Sequence, residues 1–509
     1  MRTLRLKISD IFEFAGAPPA AETSDVTAIT SLVQSQFGFL PQPLVITIEG
    51  HEVVLQFPDE STAAQSEAAR LAQKAAKRAA QGDYAKAIAI YQRVLELQPS
   101  LHSARRDLAM AYVETGDVEN ATNHLIEVLR LDPQDAWGWV VLANLYIREK
   151  SDPVTGEKFL RKALEIKPDD PWALNSLAAL YQKRGHPDQA IGLYEKVIAA
   201  NPEFANAYLG EAMTYDAMQK PEEALGALNR LFALGKIQDA RTRAVFESAR
   251  GVYAKLQVDV ARRNQSEAFK CVQNYKAELE VLSGFPVRIE EQEFKDKVGA
   301  RIQMAWTHGR DHHLIATRRG FAPELLSHLE THELTHLKME SEARQVGKNL
   351  FFTTTEKTQE IAIRSVAGDI RKIQKEGYAE ESITKITLSL ISGLCGFLFN
   401  CPLDMLIERH IRQSFPVLHP AQYLSLCVMA MEAWQANSNP EFRKVAPKKI
   451  VQASLALNGA WCLFLDELFG GASELSAPYR NLDSFAVSRR LHDYFVSNSS
   501  KMGGVESIR

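Results

Sequence analysis

Between Pro43 and Phe57 apolar and polar positions alternate, as PLVITIE and EVVLQF, on either side of Gly50 and His51. A period of two flanking a two-residue turn predicts a β-hairpin, and the N-terminal MRTLRLKI offers a third strand. Residues 1–60 are expected to form a small β-rich N-terminal domain. From residue 63 the period lengthens to that of helices, with apolar positions three and four apart. Short β-like runs return after SGFP at 283–286, as VRIEEQEF, ARIQMAWTHG and HHLIATRRG. They precede PELLSHLETHELTHLKMESEAR, which predicts a helix opening at Ala322 or Pro323, because Pro fits the first helical position. Residues 412–495 are helical in pattern, and the last dozen residues are expected to fray.

The helical stretch repeats itself. Small residues recur at Ala75, Ala109, Ala143, Ala178 and Ala212, spaced by 34, 34, 35 and 34 residues, and Tyr112, Tyr146, Tyr181 and Tyr215 follow the last four by three positions. A second series runs through Ala87, Ala121, Ala190 and Ala224; glycines fall between the helices at Gly82, Gly116 and Gly185, and Pro99, Pro133, Pro168 and Pro202 close four units. Small side chains let paired helices approach, while the larger positions bury against the next unit. The pattern resembles the tetratricopeptide repeat (TPR), which implies about five repeats over 63–235 stacked into an α-α superhelix. Its groove is expected to hold a protein partner or an extended peptide. The third unit departs from the pattern with one extra residue in REKSDPVTGEKF and Gly156 in place of Ala, which predicts a local distortion. Helical sequence at 236–283 is expected to cap the array and connect it to a third domain at 284–509.

Composition adds limits more than directions. Hydrophobic residues make up 46% of the 509 and charged residues 24%, ordinary for a globular chain of several domains, and a net charge of -4 gives no reason to expect nucleic acid or an acidic membrane as partner. The five cysteines, Cys271, Cys395, Cys401, Cys427 and Cys462, form no CxxC pair. That argues for a reducing compartment and against a thiolate zinc site. Asp10 and Glu13 interrupt the apolar core a secretory signal needs, so a cytoplasmic protein is expected. The longest apolar run, ITLSLISGLCGFLF at 386–399, is shorter than the roughly 20 residues of a membrane span. A buried helix is expected there, with a re-entrant or interfacial segment as the alternative, and no transmembrane segment.

The candidate chemistry lies in HLETHELTH at 328–336. His332 and His336 are four apart on a helix, so both imidazoles can face one zinc ion, and Glu333 beside the first can take a proton from a zinc-activated water. Strands followed by an HExxH helix resemble the zincin metallopeptidases. A catalytic site needs a third protein ligand and an open position. NCPLDMLIERHI at 400–411 offers Asp404 and Glu408, again four apart, on an expected short amphipathic helix after Pro402. The segment also resembles an Asn-x-x-x-Asp-x-x-Ile-Asn stretch of some bacterial metallopeptidase-like domains, matching at Asn400, Asp404 and Ile407 but with Glu408 for the final Asn. That resemblance favours Asp404 as third ligand, and a Glu-zincin arrangement would use Glu408.

The neighbouring polar residues have lesser expected roles. His328 is expected to be a partly buried polar residue near the helix start, the alternative being a group that supports the metal ligands or contacts substrate. At most one of His312 and His313 can face a cleft from a strand. Arg409 and His410 are unargued candidates for oxyanion stabilisation. The insertion between Leu337 and Asn400 is expected to add helices and a flap over the cleft.

The fold class expected is mainly α: a TPR solenoid, an α+β zincin-like domain and the small N-terminal β-rich domain. The function expected is a zinc metallopeptidase acting on a peptide or protein substrate recruited by the repeats. The alternative is a TPR scaffold whose zincin-like domain is structural or inactive.

Overall fold

The computed structural model describes residues 1–15, 25–59, 61–235, 239–294, 298–347, 355–375, 377 and 380–501. The chain divides into two compact units, Met1–Thr214 and Tyr215–Arg509.

The first unit opens with β1 (Arg2–Lys7), α1 (Ile8–Ala15), α2 (Val26–Phe37), β2 (Val45–Glu49) and β3 (Glu52–Phe57). The expected hairpin forms in the expected register, with Ile48 opposite Val53 and Glu49 opposite Glu52. Gly50 supplies the positive φ, +62°, that the turn requires. β1 pairs with β3, giving an antiparallel sheet of order β1-β3-β2. Two helices accompany the sheet, so this segment is α+β. Ile11, Val33, Phe37, Val53 and Leu55 form its core, against which Leu131 of the repeats packs.

The repeats form as α3 (Thr62–Ala80), α4 (Tyr84–Leu97), α5 (His102–Thr115), α6 (Val118–Leu131), α7 (Ala136–Arg148), α8 (Pro153–Ile166), α9 (Pro171–Lys183), α10 (Pro187–Ala200), α11 (Ala205–Ala217) and α12 (Pro221–Ala233), the unit boundary falling within α11. The alanines of both periodic series are fully buried. Where glycine is missing from the inter-helix turn, Ser151 and Gln219 take its left-handed conformation, with φ of 52° and 60°.

The glycine that departs from the pattern in the third repeat has a steric cause. A Cβ added at Gly156 would lie 2.4 Å from Ile147 Cγ1 and 3.0 Å from the Ala143 carbonyl oxygen, so α7 and α8 approach too closely for the alanine used elsewhere. Gly156→Ala therefore destabilises the array by about 1–3 kcal/mol through overpacking, outweighing the ~1 kcal/mol that alanine gains in helix propensity. Urea titration followed by the helix signal should show an earlier midpoint than wild type.

The second unit continues with α13 (Ala240–Arg263), α14 (Gln265–Ser283), β4 (Val287–Gln292), β5 (Ala300–Gln303), α15 (Ala305–His308), β6 (His313–Arg318), α16 (Pro323–Gln345), α17 (Glu356–Lys375), α18 (Glu380–Ser414), α19 (His419–Ser438), α20 (Pro440–Val445), α21 (Lys448–Leu468) and α22 (Phe485–Lys501). The sheet order is β4-β6-β5, with β4 parallel and β5 antiparallel to β6. Val272, Tyr275 and Leu279 of α14, Leu334 and Leu337 of α16, and Val287 and Ile315 of the sheet share one core.

Two expectations about the inserted region are corrected. Asp404 and Glu408 stand not on a short helix after Pro402 but on the last third of α18, a 35-residue helix with Pro402 inside it. Proline there removes one backbone donor without ending the helix. The apolar run 386–399 is not buried: only 17% of the most apolar window of α18 is enclosed, and the helix is long and apolar enough to cross a membrane by length and composition. The expected flap falls partly on 348–354, and the expected fraying partly on 502–509, both outside the described residues.

Candidate metal centre

α16 lines up His328, His332 and His336 because four residues advance a helix by slightly more than one turn. Pro323 occupies its first turn, and no glycine or second proline interrupts it. The threonines between the histidines turn inward: Thr331 and Thr335 are buried, and their hydroxyls donate to the carbonyls four residues back, each at 2.7 Å. Those bonds satisfy their donor protons within the helix, and the Thr335 hydroxyl also accepts from Tyr275 of α14 at 3.5 Å. The histidine side is thus left to meet α18.

On α18 the two carboxylates separate by depth. Asp404 Oδ1 lies 3.3 Å from His336 Nε2 and 3.6 Å from His332 Nε2, and all three side chains stay about one-fifth exposed. Donor atoms of the three residues all lie within 4.8 Å of one another. These separations exceed the ~2.7–2.9 Å of a charge-assisted hydrogen bond. They fit a tetrahedral zinc ion, whose bonds of about 2.0–2.2 Å hold neighbouring donors roughly 3.3–3.6 Å apart.

Glu408, one turn further on, is completely buried. Its Oε1 accepts from His332 Nδ1 at 2.7 Å, and its Oε2 accepts from His328 Nε2 at 2.9 Å and from the Gln422 amide at 2.8 Å. A second trio of donors, His328, His332 and Glu408, is also compact. Its spacings are hydrogen bonds, however, and His328 and Glu408 are buried where they border the cleft. An ionised carboxylate only accepts, so Glu408 places the His332 proton on Nδ1 and leaves Nε2 to face Asp404. This is the supporting carboxylate that commonly orients a ligating histidine.

His328 differs from its expectation. It is fully buried, not partly, and relays between Glu408 and the Ser425 hydroxyl, which donates to His328 Nδ1 at 2.5 Å. Ser425 and Gln422 on α19 carry no sequence signal; they join the site only because α19 packs on α16. The adjacent histidine had one, being four residues before His332.

The electrostatics follow from this packing. Burial alone would raise the Glu408 carboxyl, but His328 and His332 outweigh it and hold the group well below the usual carboxylate range. Burial likewise works against ionisation of Asp404, and His332 and His336 lower it nonetheless. For His332 burial opposes the charged form, while Asp404 and Glu408 together raise it well above the ordinary imidazole value.

The trio opens on a cleft of about 1060 Å³. Glu333, only 9% exposed, lines it beside His332. The carboxyl of Glu330 is pushed up to about 7 by burial, but Glu330 is not among the lining residues. Residues 298–302 form one wall, Phe399, Asn400 and Leu403 of α18 another, and Leu426, Met429 and Trp461 of α19 and α21 a third. β5 is an outer strand of its sheet, and among the described residues it pairs with β6.

The remaining sequence candidates stand elsewhere. β6 is the central strand and its His313 is fully buried, accepting from the Ala305 amide at 3.0 Å and packed against Trp306 and Phe285. Burial pushes its imidazole down to about 4. His312 bonds to Asp311 at 2.6 Å. Arg409 lies over the Phe464 ring and His410 contacts Ser414 and Phe415; neither lines the cleft.

Comparison with known proteins identifies the repeats. Family models described as tetratricopeptide repeat match residues 74–137, 106–171, 159–192 and 182–236. Residues 74–236 are tetratricopeptide repeats, within a mainly helical chain. Cellulose synthase operon protein C of Xanthomonas axonopodis pv. citri (strain 306) is 32% identical over 105 residues, 20% of this chain and 7% of that protein. The human interferon-induced protein with tetratricopeptide repeats 2 is 30% identical over 125 residues, 23% of this chain and 26% of that protein. The chain thus spans less than a third of the length of either relative. Among solved structures, a thermophilic TPR protein of Thermus thermophilus is 20% identical, with a TM-score of 0.32, and covers 36% of this chain and 98% of its own.

Proposed function

We propose that this chain is a protein-binding scaffold that also carries a zinc-dependent peptidase site, the repeats recruiting the protein on which the site acts. Tetratricopeptide repeats present a groove to a peptide or protein segment, and residues 74–236 supply that interaction surface. The observation that carries the catalytic half is the spacing of His332 Nε2, His336 Nε2 and Asp404 Oδ1, at metal-polyhedron rather than hydrogen-bond distances. A zinc ion held by these three supplies Lewis-acid activation of a water at neutral pH.

The chain's own groups divide the remaining work. Glu333 takes a proton from the attacking water and passes it to the leaving amine nitrogen as the carbon–nitrogen bond breaks. Glu408, braced by His328 and Gln422, keeps the His332 ring in the orientation that presents Nε2. β5, an outer strand bordering the cleft, aligns an extended peptide along the cleft wall, a role that neither His312 nor His313 takes. Asn400, one turn before Asp404, offers an amide donor within the cleft. All five cysteines are free, which supports a reducing compartment as its setting.

The second reading, a scaffold with a structural metal or none, draws support from the comparisons, whose family matches all lie in the repeats. Against it stands the openness of the site: structural zinc is closed by four protein ligands, while this trio faces a cleft with Glu333 alongside.

Zinc calorimetry across pH tests the site. Without metal, His332 is raised and holds its proton at neutral pH, so zinc uptake at pH 7 should release about one proton per ion, seen as a dependence on buffer ionisation enthalpy. The stability that the raised imidazole contributes is complete below about pH 6.5 and is lost as pH rises through its folded value. The metal-free Tm should therefore fall upward from pH 6.5, while with zinc it should rise over the same range. Zinc uptake without proton release would contradict the assigned ligands.

A further inference from the structure

The cleft extends past the metal-facing trio along a wall built by α19 and α21. Ser425 of α19 donates to His328, so the next turn of α19 brings Leu426, Met429 and Ala430 beside the histidine row. α21 runs alongside α18: Ile450 packs with Ile391, and Phe464 lies under Arg409. That alignment sets Asn458 and Trp461 of α21 near the turn of α18 that carries Leu403 and Asp404, and all four line the cleft. Leu426 and Ala430 are buried, and no lining residue from α19 or α21 is charged.

Asn458 is the polar group of this wall, and it is only 8% exposed. Its amide nitrogen donates to the Ser454 carbonyl at 2.8 Å and to the Ser454 hydroxyl at 3.3 Å. A carbonyl only accepts, so the nitrogen is fixed on that side and Oδ1 is the group left over. Among the described residues Oδ1 accepts no hydrogen bond from the chain. Covering such an acceptor with an occupant that brings no donor costs its desolvation in full.

We infer that this pocket receives the substrate side chain next to the scissile bond and selects tyrosine there, an inference that rests on the peptidase reading above. Apolar walls make the burial of a charged side chain costly, which disfavours Lys, Arg, Asp and Glu. Trp461 offers an aromatic surface on which a ring packs better than a short aliphatic chain. The phenol O–H then donates to Asn458 Oδ1. Phenylalanine fills the same walls but leaves Oδ1 covered and unpaired. A site built to hydrogen-bond a hydroxyl rejects the analogue lacking it far more strongly than an apolar pocket rejects one methylene too few. Asn458 thus sets specificity and takes no part in breaking the bond.

Two small probes test the pocket without any turnover. Ligand-detected NMR on the full-length, zinc-loaded protein should find 4-methylphenol bound at least about fivefold more tightly than toluene. Asn458→Leu, similar in size but without the acceptor, should bind the two alike, with zinc content and melting curve checked against wild type. Peptides that differ only in Tyr or Phe at the position flanking the cut should then differ by about 10- to 100-fold in kcat/KM with wild type, and by little with Asn458→Leu. Wild type that binds toluene as well as 4-methylphenol overturns the inference whatever the variant does. Equal cleavage of the two peptides overturns it as well, and so does a probe preference that survives in folded Asn458→Leu. Cleavage of neither peptide by protein that still discriminates the probes would sink the peptidase reading and leave the selectivity of the pocket supported.

Discussion

Asp404→Asn protein should purify without zinc, whereas Glu408→Gln should still take up zinc with affinity weakened about 10- to 100-fold, the usual loss when a supporting partner is removed. The two carboxylates are one helical turn apart and were equal candidates by spacing. The structure separates them: Asp404 meets both imidazole Nε2 atoms at metal-compatible distances and stays partly exposed, while Glu408 is fully buried with both oxygens already accepting hydrogen bonds. An amide at 404 keeps the shape but removes the charge that balances zinc. An amide at 408 keeps one acceptor for His332 Nδ1 and loosens the ring. Because breaking a buried charged pair costs about 3–5 kcal/mol, Glu408→Gln should also lower the melting temperature more than Asp404→Asn does in metal-free protein. Metal analysis and melting curves on the same preparations separate the two roles; zinc kept by Asp404→Asn and lost by Glu408→Gln would reverse them.

Glu333→Ala should keep the zinc and lose hydrolysis by about 100- to 10,000-fold, the range attributed to one general base. Glu333 touches none of the trio's metal-facing atoms in the hydrogen bonds above, yet lines the cleft next to His332. Turnover of a mixture of unstructured fluorogenic peptides, measured with zinc content confirmed at wild-type level, reads the effect. Unchanged turnover would remove Glu333 from the chemistry. Absence of turnover in zinc-loaded wild type would favour the scaffold reading with a structural ion.

How much of this was legible in the chain follows from the range of each interaction. The repeats announce themselves because Ala75, Ala109 and their successors solve the same local packing problem every 34 residues or so. His332, Glu333 and His336 are equally local, set by one helix. The proposed third carboxylate is not: Asp404 follows His336 by 68 residues, and whether it or Glu408 meets both Nε2 atoms depends on how α18 packs against α16, which spacing within one helix leaves open. His328 offered a hint through its position four residues before His332, but its partners Ser425 and Gln422 come from a helix with no distinguishing pattern. The apolar run of α18 misled for the opposite reason. Hydrophobicity predicts burial only where the fold has something to cover the helix, and α17 and α21 cover one stripe. Pro402 misled too, since a proline within a long helix costs a hydrogen bond but does not oblige the helix to start there.

Zinc-edge X-ray absorption of the purified full-length protein tests the central claim most directly. The arrangement of His332, His336 and Asp404 predicts about one zinc per chain, with a nitrogen and oxygen shell at about 2.0–2.1 Å, the outer-shell pattern of two imidazoles and no sulfur at about 2.3 Å. Protein that holds no zinc after purification and zinc reconstitution, or holds it through sulfur, would contradict it.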